Sequence, residues 1–128
     1  MNKGHIYFEI QADDPKRAIN FYSEVFGWKF SGPLPGLPIP YWTIETGGSR
    51  GGLLQRPAKR PSAQSGTNAF VCSLEVEDFD ETAKTILAHD GIVALPKFAV
   101  PKTCWQGYFV DPEGNTFGIF QVDPHAGN

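Results

Sequence analysis

The sequence predicts an α+β protein built from two tandem βαβββ modules, on three observations. A strand-like segment near the N-terminus recurs half a chain later. A helix signal of the same length follows each copy. Three further strand-like segments follow each helix in the same order.

The recurring segment is Phe8-Glu9-Ile10-Gln11-Ala12-Asp13-Asp14, which overlays Cys72-Ser73-Leu74-Glu75-Val76-Glu77-Asp78 at an offset of 64 residues. Both copies alternate apolar and polar, as a half-buried strand does. Ile6, Phe8 and Ile10 share one face, while His5, Tyr7, Glu9 and Gln11 share the other. By the same alternation Cys72 belongs to the core.

The first helix is predicted to start at the cap Asp14, with Pro15 at the first helical position, where a missing N–H costs nothing. Ala18, Ile19, Tyr22, Val25 and Phe26 form its apolar stripe. Gly27 stops it, 13 residues after the cap. In the second copy Asp78 and Glu81 have capping-box spacing. Phe79, Thr82, Ala83, Ile86 and Leu87 make the stripe, and Gly91 stops the helix, again 13 residues after the cap.

The strands after the first helix are read at 28–31, 41–46 and 51–55, and those after the second at 92–98, 108–111 and 116–122. Residues 49–55 overlay 115–121, so Gly52 falls on Gly118. Trp42 and Tyr108 each stand ten residues before that glycine. Module 1 spans about 4–56, a polar linker about 57–67 and module 2 about 68–123, within one domain of 128 residues. The segments 31–40 and 96–107 read as loops, from their proline and glycine.

Composition narrows the function classes. Apolar residues make up 41% of the chain, so a core can form, and the formal net charge of -3 gives no basic footprint for nucleic acid. No apolar run reaches membrane-spanning length. With no signal-peptide pattern at the N-terminus, a cytoplasmic location is expected, with Cys72 and Cys104 as free thiols.

Two stretches carry a family resemblance covering almost the whole chain. Phe8-Glu9-Ile10, Asp13 to Ala18, Phe21-Tyr22 and Phe26-Gly27-Trp28 resemble the opening of glyoxalase/bleomycin-resistance proteins. Asp111-Pro112-Glu113-Gly114-Asn115 followed by Phe117-Gly118 resembles their final hairpin, where Pro and Gly-Asn suit a tight turn. The chain is thus similar to the vicinal-oxygen-chelate superfamily. That resemblance implies sheets curled around a cavity. In metal-binding members each module supplies one ligand from its first strand and one from its last, usually His, Glu or Gln.

Carried onto this sequence, those positions are Tyr7 and Gly52 in module 1, and Val71 and Gly118 in module 2. Three of them have no donor atom, and a divalent metal needs several convergent N, O or S ligands. His5 and Glu9 flank Tyr7 on one strand face, but at roughly 6–7 Å. No cofactor is therefore expected, and the warrant for metal-assisted chemistry is withdrawn. Gly52 and Gly118 read instead as places of close approach.

The candidate ligand-binding residues are Tyr7, Glu9, Trp42, Leu54, Ser73, Tyr108 and Phe120. Glu9 faces the cavity beside Tyr7, where a carboxylate can hold a cationic group or act as a base. Its acidity argues against glutathione conjugates, because the resembled position tends to be basic in glutathione-handling relatives. Tyr7, Trp42 and Tyr108 can stack on a planar or cationic ligand. Ser73 occupies the second module's equivalent of Glu9, and Leu54 and Phe120 supply an apolar floor. Cys104, read in a loop, has no evident base beside it. Gly47 to Gly52 precedes a strand, so it lacks the phosphate-cradling helix N-terminus. The expected function is metal-free binding of a small molecule by a homodimer. The alternative is a lyase, isomerase or dioxygenase-like enzyme acting on a small carbonyl compound through a non-standard metal site, with Glu9 as base.

Overall fold

The computed structural model describes residues 2–60, 62 and 68–128. Positions 61 and 63–67 of the expected linker lie outside the described residues. In chain order the elements are β1 (Asn2–Ala12), α1 (Pro15–Phe26), β2 (Lys29–Ser31), β3 (Tyr41–Glu45), β4 (Arg50–Gln55), β5 (Val71–Val76), α2 (Phe79–Ala88), β6 (Ile92–Val100), β7 (Cys104–Val110) and β8 (Thr116–Val122). The βαβββ order is thus present twice. The chain forms two compact units, one of Tyr7–Phe70 and one of Val71–Asn128 together with the first six residues.

In the first unit β1 pairs in parallel with β4, with Glu9 opposite Gly52. β3 runs antiparallel to β4 and β2 antiparallel to β3. Ile10, Ala12, Ile44 and Leu53 form a buried core, on which Phe8, Ala18, Ile19, Tyr22 and Trp42 pack. Even-numbered residues of β1 therefore face α1, while Tyr7 and Glu9 face the helix-free side, as the alternation predicts.

Asp14 caps α1 by accepting the Arg17 N–H, and Gly27 closes it at φ 70 with its N–H on the Ser23 carbonyl. The expected stripe is only partly buried. Val25 and Phe26 are exposed, and the Phe26 ring lies against Tyr22 and Trp28 instead of entering the core.

The second unit repeats the plan. β5 pairs in parallel with β8, with Ser73 opposite Gly118, and β7 and β6 follow antiparallel. Val76, Phe79, Phe109 and Ile119 are its core. Asp78 caps α2 through the Glu81 N–H at 3.1 Å, but Glu81 turns its carboxylate to Lys84, so only half of the capping box forms.

Four expectations are corrected in this unit. The residue in the left-handed region after α2 is Asp90, at φ 71, rather than Gly91. Gly91 is required for space, because a Cβ there would overlap the Ile86 side chain. The segment expected as a loop at 96–107 is mostly strand. Two register shifts in β6 absorb Pro96, and Lys102 at φ 59 turns the chain into β7. Cys104 consequently opens β7 and is buried. Cys72 is exposed, since the cluster beneath α2 takes Val76 from β5 and leaves Cys72 outside it.

Candidate functional site

Each unit has a glycine on the helix-free face of its last strand, and side chains of the same unit fill the space above it. These two hollows are where the sequence led one to look for ligands.

In the first unit the filler is Tyr41. A Cβ on Gly52 would overlap the Tyr41 hydroxyl and ring. The hydroxyl donates to Glu9 Oε2 at 2.7 Å and lies 2.8 Å from the Tyr7 hydroxyl. A phenol has one hydrogen to give, so Tyr7 donates to Tyr41 and Tyr41 donates to Glu9. The result is a directed chain of hydrogen bonds ending on Glu9, a buried residue. Burial, followed by the Glu9 charge and the neighbouring Tyr7, holds the Tyr41 phenol far above its ordinary ionisation range. Tyr41 is thus a fixed donor at neutral pH.

In the second unit Gly118 is covered by Ser73, Gln106 and Tyr108. A Cβ there would overlap Ser73 Oγ and would come within 2.7 Å of Gln106 Nε2 and 3.0 Å of Tyr108 Cε1. Gln106 Nε2 donates to Ser73 Oγ at 3.1 Å, and both residues are buried. The Tyr108 ring stacks on Phe98 with centroids 6.4 Å apart.

The structure gathers Tyr7 and Glu9 on one face, and Ser73 and Tyr108 on another. Leu54 is half-buried and paired with Tyr41, two residues beyond Gly52, and Phe120 is half-buried and paired with Gln106, two beyond Gly118. Trp42 goes elsewhere, packing with the core beneath α1.

The reason for the placement of Trp42 is the hairpin. The turn from β3 to β4 has four residues, 46–49, and the turn from β7 to β8 has five, 111–115. Gly52 therefore pairs with Thr43, nine residues earlier, while Gly118 pairs with Tyr108, ten residues earlier. One residue of slip moves a side chain to the opposite face. The structural counterpart of Gln106 is thus Tyr41, which the equal ten-residue spacing hid. Counting back from each turn, rather than from each glycine, would have found both.

The fit of a metal can be judged position by position. Gly52 and Gly118 offer no donor, and the volume a longer ligand side chain needs is taken by Tyr41 in one unit and by Ser73, Gln106 and Tyr108 in the other. Val71 offers none either, and Tyr7 is engaged with Tyr41. Among the described residues no three His, Cys, Asp or Glu side chains cluster as metal ligands. The family's ligand set does not fit these residues.

Two hollows open on the helix sides. One, of about 330 Å³, is lined by Tyr22, Arg17, Arg56 and Arg60 among others. Arg56 and Arg60 both meet Asp13, at 3.0 and 3.1 Å, which neutralises much of its charge. The other, of about 410 Å³, lies over Val76, Ile86 and Ile119. No helix among the described residues is long and apolar enough to cross a membrane.

Comparison with known proteins agrees with this architecture. The family model of the Glyoxalase/Bleomycin resistance protein/Dioxygenase superfamily matches residues 4–119. A glyoxylase-like domain-containing protein of Didymella fabae is 30% identical, with 87% of this chain and 88% of that one covered. A protein of Mycobacterium bovis named "Putative glyoxylase CFP32" is 24% identical over 94% of this chain, and the chain spans about half of it, 46%. A superfamily member from Vibrio splendidus has the same fold at a TM-score of 0.65 and 17% identity, with 91% and 97% of the two chains covered. The chain belongs to the Glyoxalase/Bleomycin resistance protein/Dioxygenase superfamily.

Proposed function

We propose that this chain is a metal-free small-molecule-binding member of its superfamily, with the helix-free sheet faces as the binding surface. The observation that carries this reading is Tyr41 above Gly52. A position that would hold a ligand side chain is instead spanned by a phenol tied to Tyr7 and Glu9. Glu9 and the two phenols suit a cationic or hydrogen-bond-donating ligand group. Ser73 and Tyr108, with Leu54 and Phe120 as apolar floor, provide the remaining contacts. The exposed Phe21, Val25, Phe26 and Phe70 suit a homodimer, and a cytoplasmic location is part of the same proposal.

Native mass spectrometry of unwashed protein tests the reading. A dimer carrying an organic adduct, lost in Glu9→Gln and free of metal mass, is the expected result. A stoichiometric metal adduct would overturn it.

A second reading rests on Glu9 itself. The buried carboxylate at the end of a phenol chain suits a general base, and two relatives are named glyoxylases, which supports reading the substrate as a small carbonyl compound. Turnover of methylglyoxal with a thiol, lost in Glu9→Gln, would favour it over simple binding.

A further inference from the structure

The second unit carries a paired His and Glu outside both filled hollows. His5 Nδ1 lies 2.7 Å from Glu75 Oε1. The pair is asymmetric, for the Glu75 side chain is 12% exposed and that of His5 is 77% exposed. As a structural tie it contributes little, because one partner stands in water. Its consequence for the imidazole is larger. A carboxylate can only accept, so Nδ1 carries the hydrogen, and in the neutral imidazole it is Nε2 that keeps the lone pair.

The surroundings specify what that lone pair meets. Glu75 is in register with Phe120 on β8, and Phe120 with Gln106 on β7. Ser73, Gly118 and Tyr108 share that face, as the close approach over Gly118 shows. Neighbouring strands lie about 4.8 Å apart, so Phe120 is the cross-strand neighbour of Glu75 on that face. Gly4, within β1 just before His5, has φ 82, a conformation that a side chain would strain.

We infer that His5 is a hydrogen-bond acceptor for an aromatic ligand bearing a hydroxyl or N–H donor. The ring lies on Phe120, and the donor meets Nε2, with Glu75 fixing the tautomer. The inference rests on the binding reading and deepens it, by naming the ligand class that this unit's face takes. Glu75 is a positioning residue here, since it acts through the imidazole.

Fluorine NMR titration of the full chain with 4-fluorophenol and with fluorobenzene separates the two ideas. The wild-type protein should bind the phenol about five-fold tighter than fluorobenzene, the scale of one hydrogen bond. His5→Phe should remove that preference. Glu75→Ala should shrink the preference, and nitrogen NMR of His5 should show Nε2 unprotonated in the wild type only. Equal binding of the two probes, or a preference that survives His5→Phe, overturns the role of His5 and leaves ring binding standing. Failure of both probes to bind overturns the role of His5 together with ring binding at this face.

Discussion

The two glycine hollows are built to one plan and filled by different chemistry. Above Gly52 stands a phenol whose hydroxyl ends on a buried carboxylate, and above Gly118 stand a serine, an amide and a ring without a charge among them. The first filler is polar and directional. The second is a neutral hydrogen bond under an aromatic wall. What separates them is which residue each turn brings to the same register position, Tyr41 in one case and Gln106 in the other. A repeated fold therefore fixes where a hollow lies and leaves its contents to single residues.

The largest expected effect comes from crowding the first hollow. Gly52→Ala should cost about 1–3 kcal/mol in denaturant unfolding, because the new methyl displaces Tyr41 from Glu9. The cost should nearly vanish in a Tyr41→Ser background, giving a clear coupling in the double-mutant cycle. Additive costs would show that Tyr41 does not occupy the space above Gly52.

Comparable in size is Tyr41→Phe, which keeps the ring and removes the donor to a buried carboxylate. A loss of about 1.5–3 kcal/mol is expected. The same variant sharpens the comparison at high pH. The Tyr41 phenol ionises less readily in the folded chain than in the unfolded one, so its contribution is intact below about pH 10 and is lost as pH rises beyond it. The wild type should lose stability more steeply above pH 10 than Tyr41→Phe does.

In the second hollow Ser73→Ala removes a neutral acceptor from Gln106. About 1 kcal/mol is expected, less than for Tyr41→Phe, and an equal or larger loss would erase the distinction between the hollows.

The smallest effect concerns the hairpins. Asp111 accepts the backbone N–H groups of Asn115 and Glu113, and the first of these is the main cause holding its carboxyl below the ordinary range. Its contribution is present above about pH 4 and is lost as pH falls through the lowered folded value. Thermal unfolding of Asp111→Asn should thus be lower than wild type at pH 7 and should converge with it in acid.

These contrasts also show what the sequence made legible. The alternation in β1 and β5, the caps at Asp14 and Asp78 and the 64-residue offset sufficed for both modules, because strand and helix periods are local properties. The site was half legible. Parity alone placed Tyr7 and Glu9 on one face, and Ser73 on the face of Gly118. Tyr41 escaped because face assignment in β3 depends on turn length, and a turn one residue shorter inverts it. The long Pro-containing hairpin of β6 and β7 was read as loop for a related reason. Proline excludes a central strand, but an edge strand with register shifts accepts it.

The filled hollows leave no room for a cation beside Gly52 and Gly118. Isothermal titration of chelator-stripped protein with zinc, nickel and manganese ions addresses this directly. No saturable heat at micromolar concentrations is predicted. One equivalent of tightly bound ion, released by Tyr7→Phe or Glu9→Gln, would contradict it.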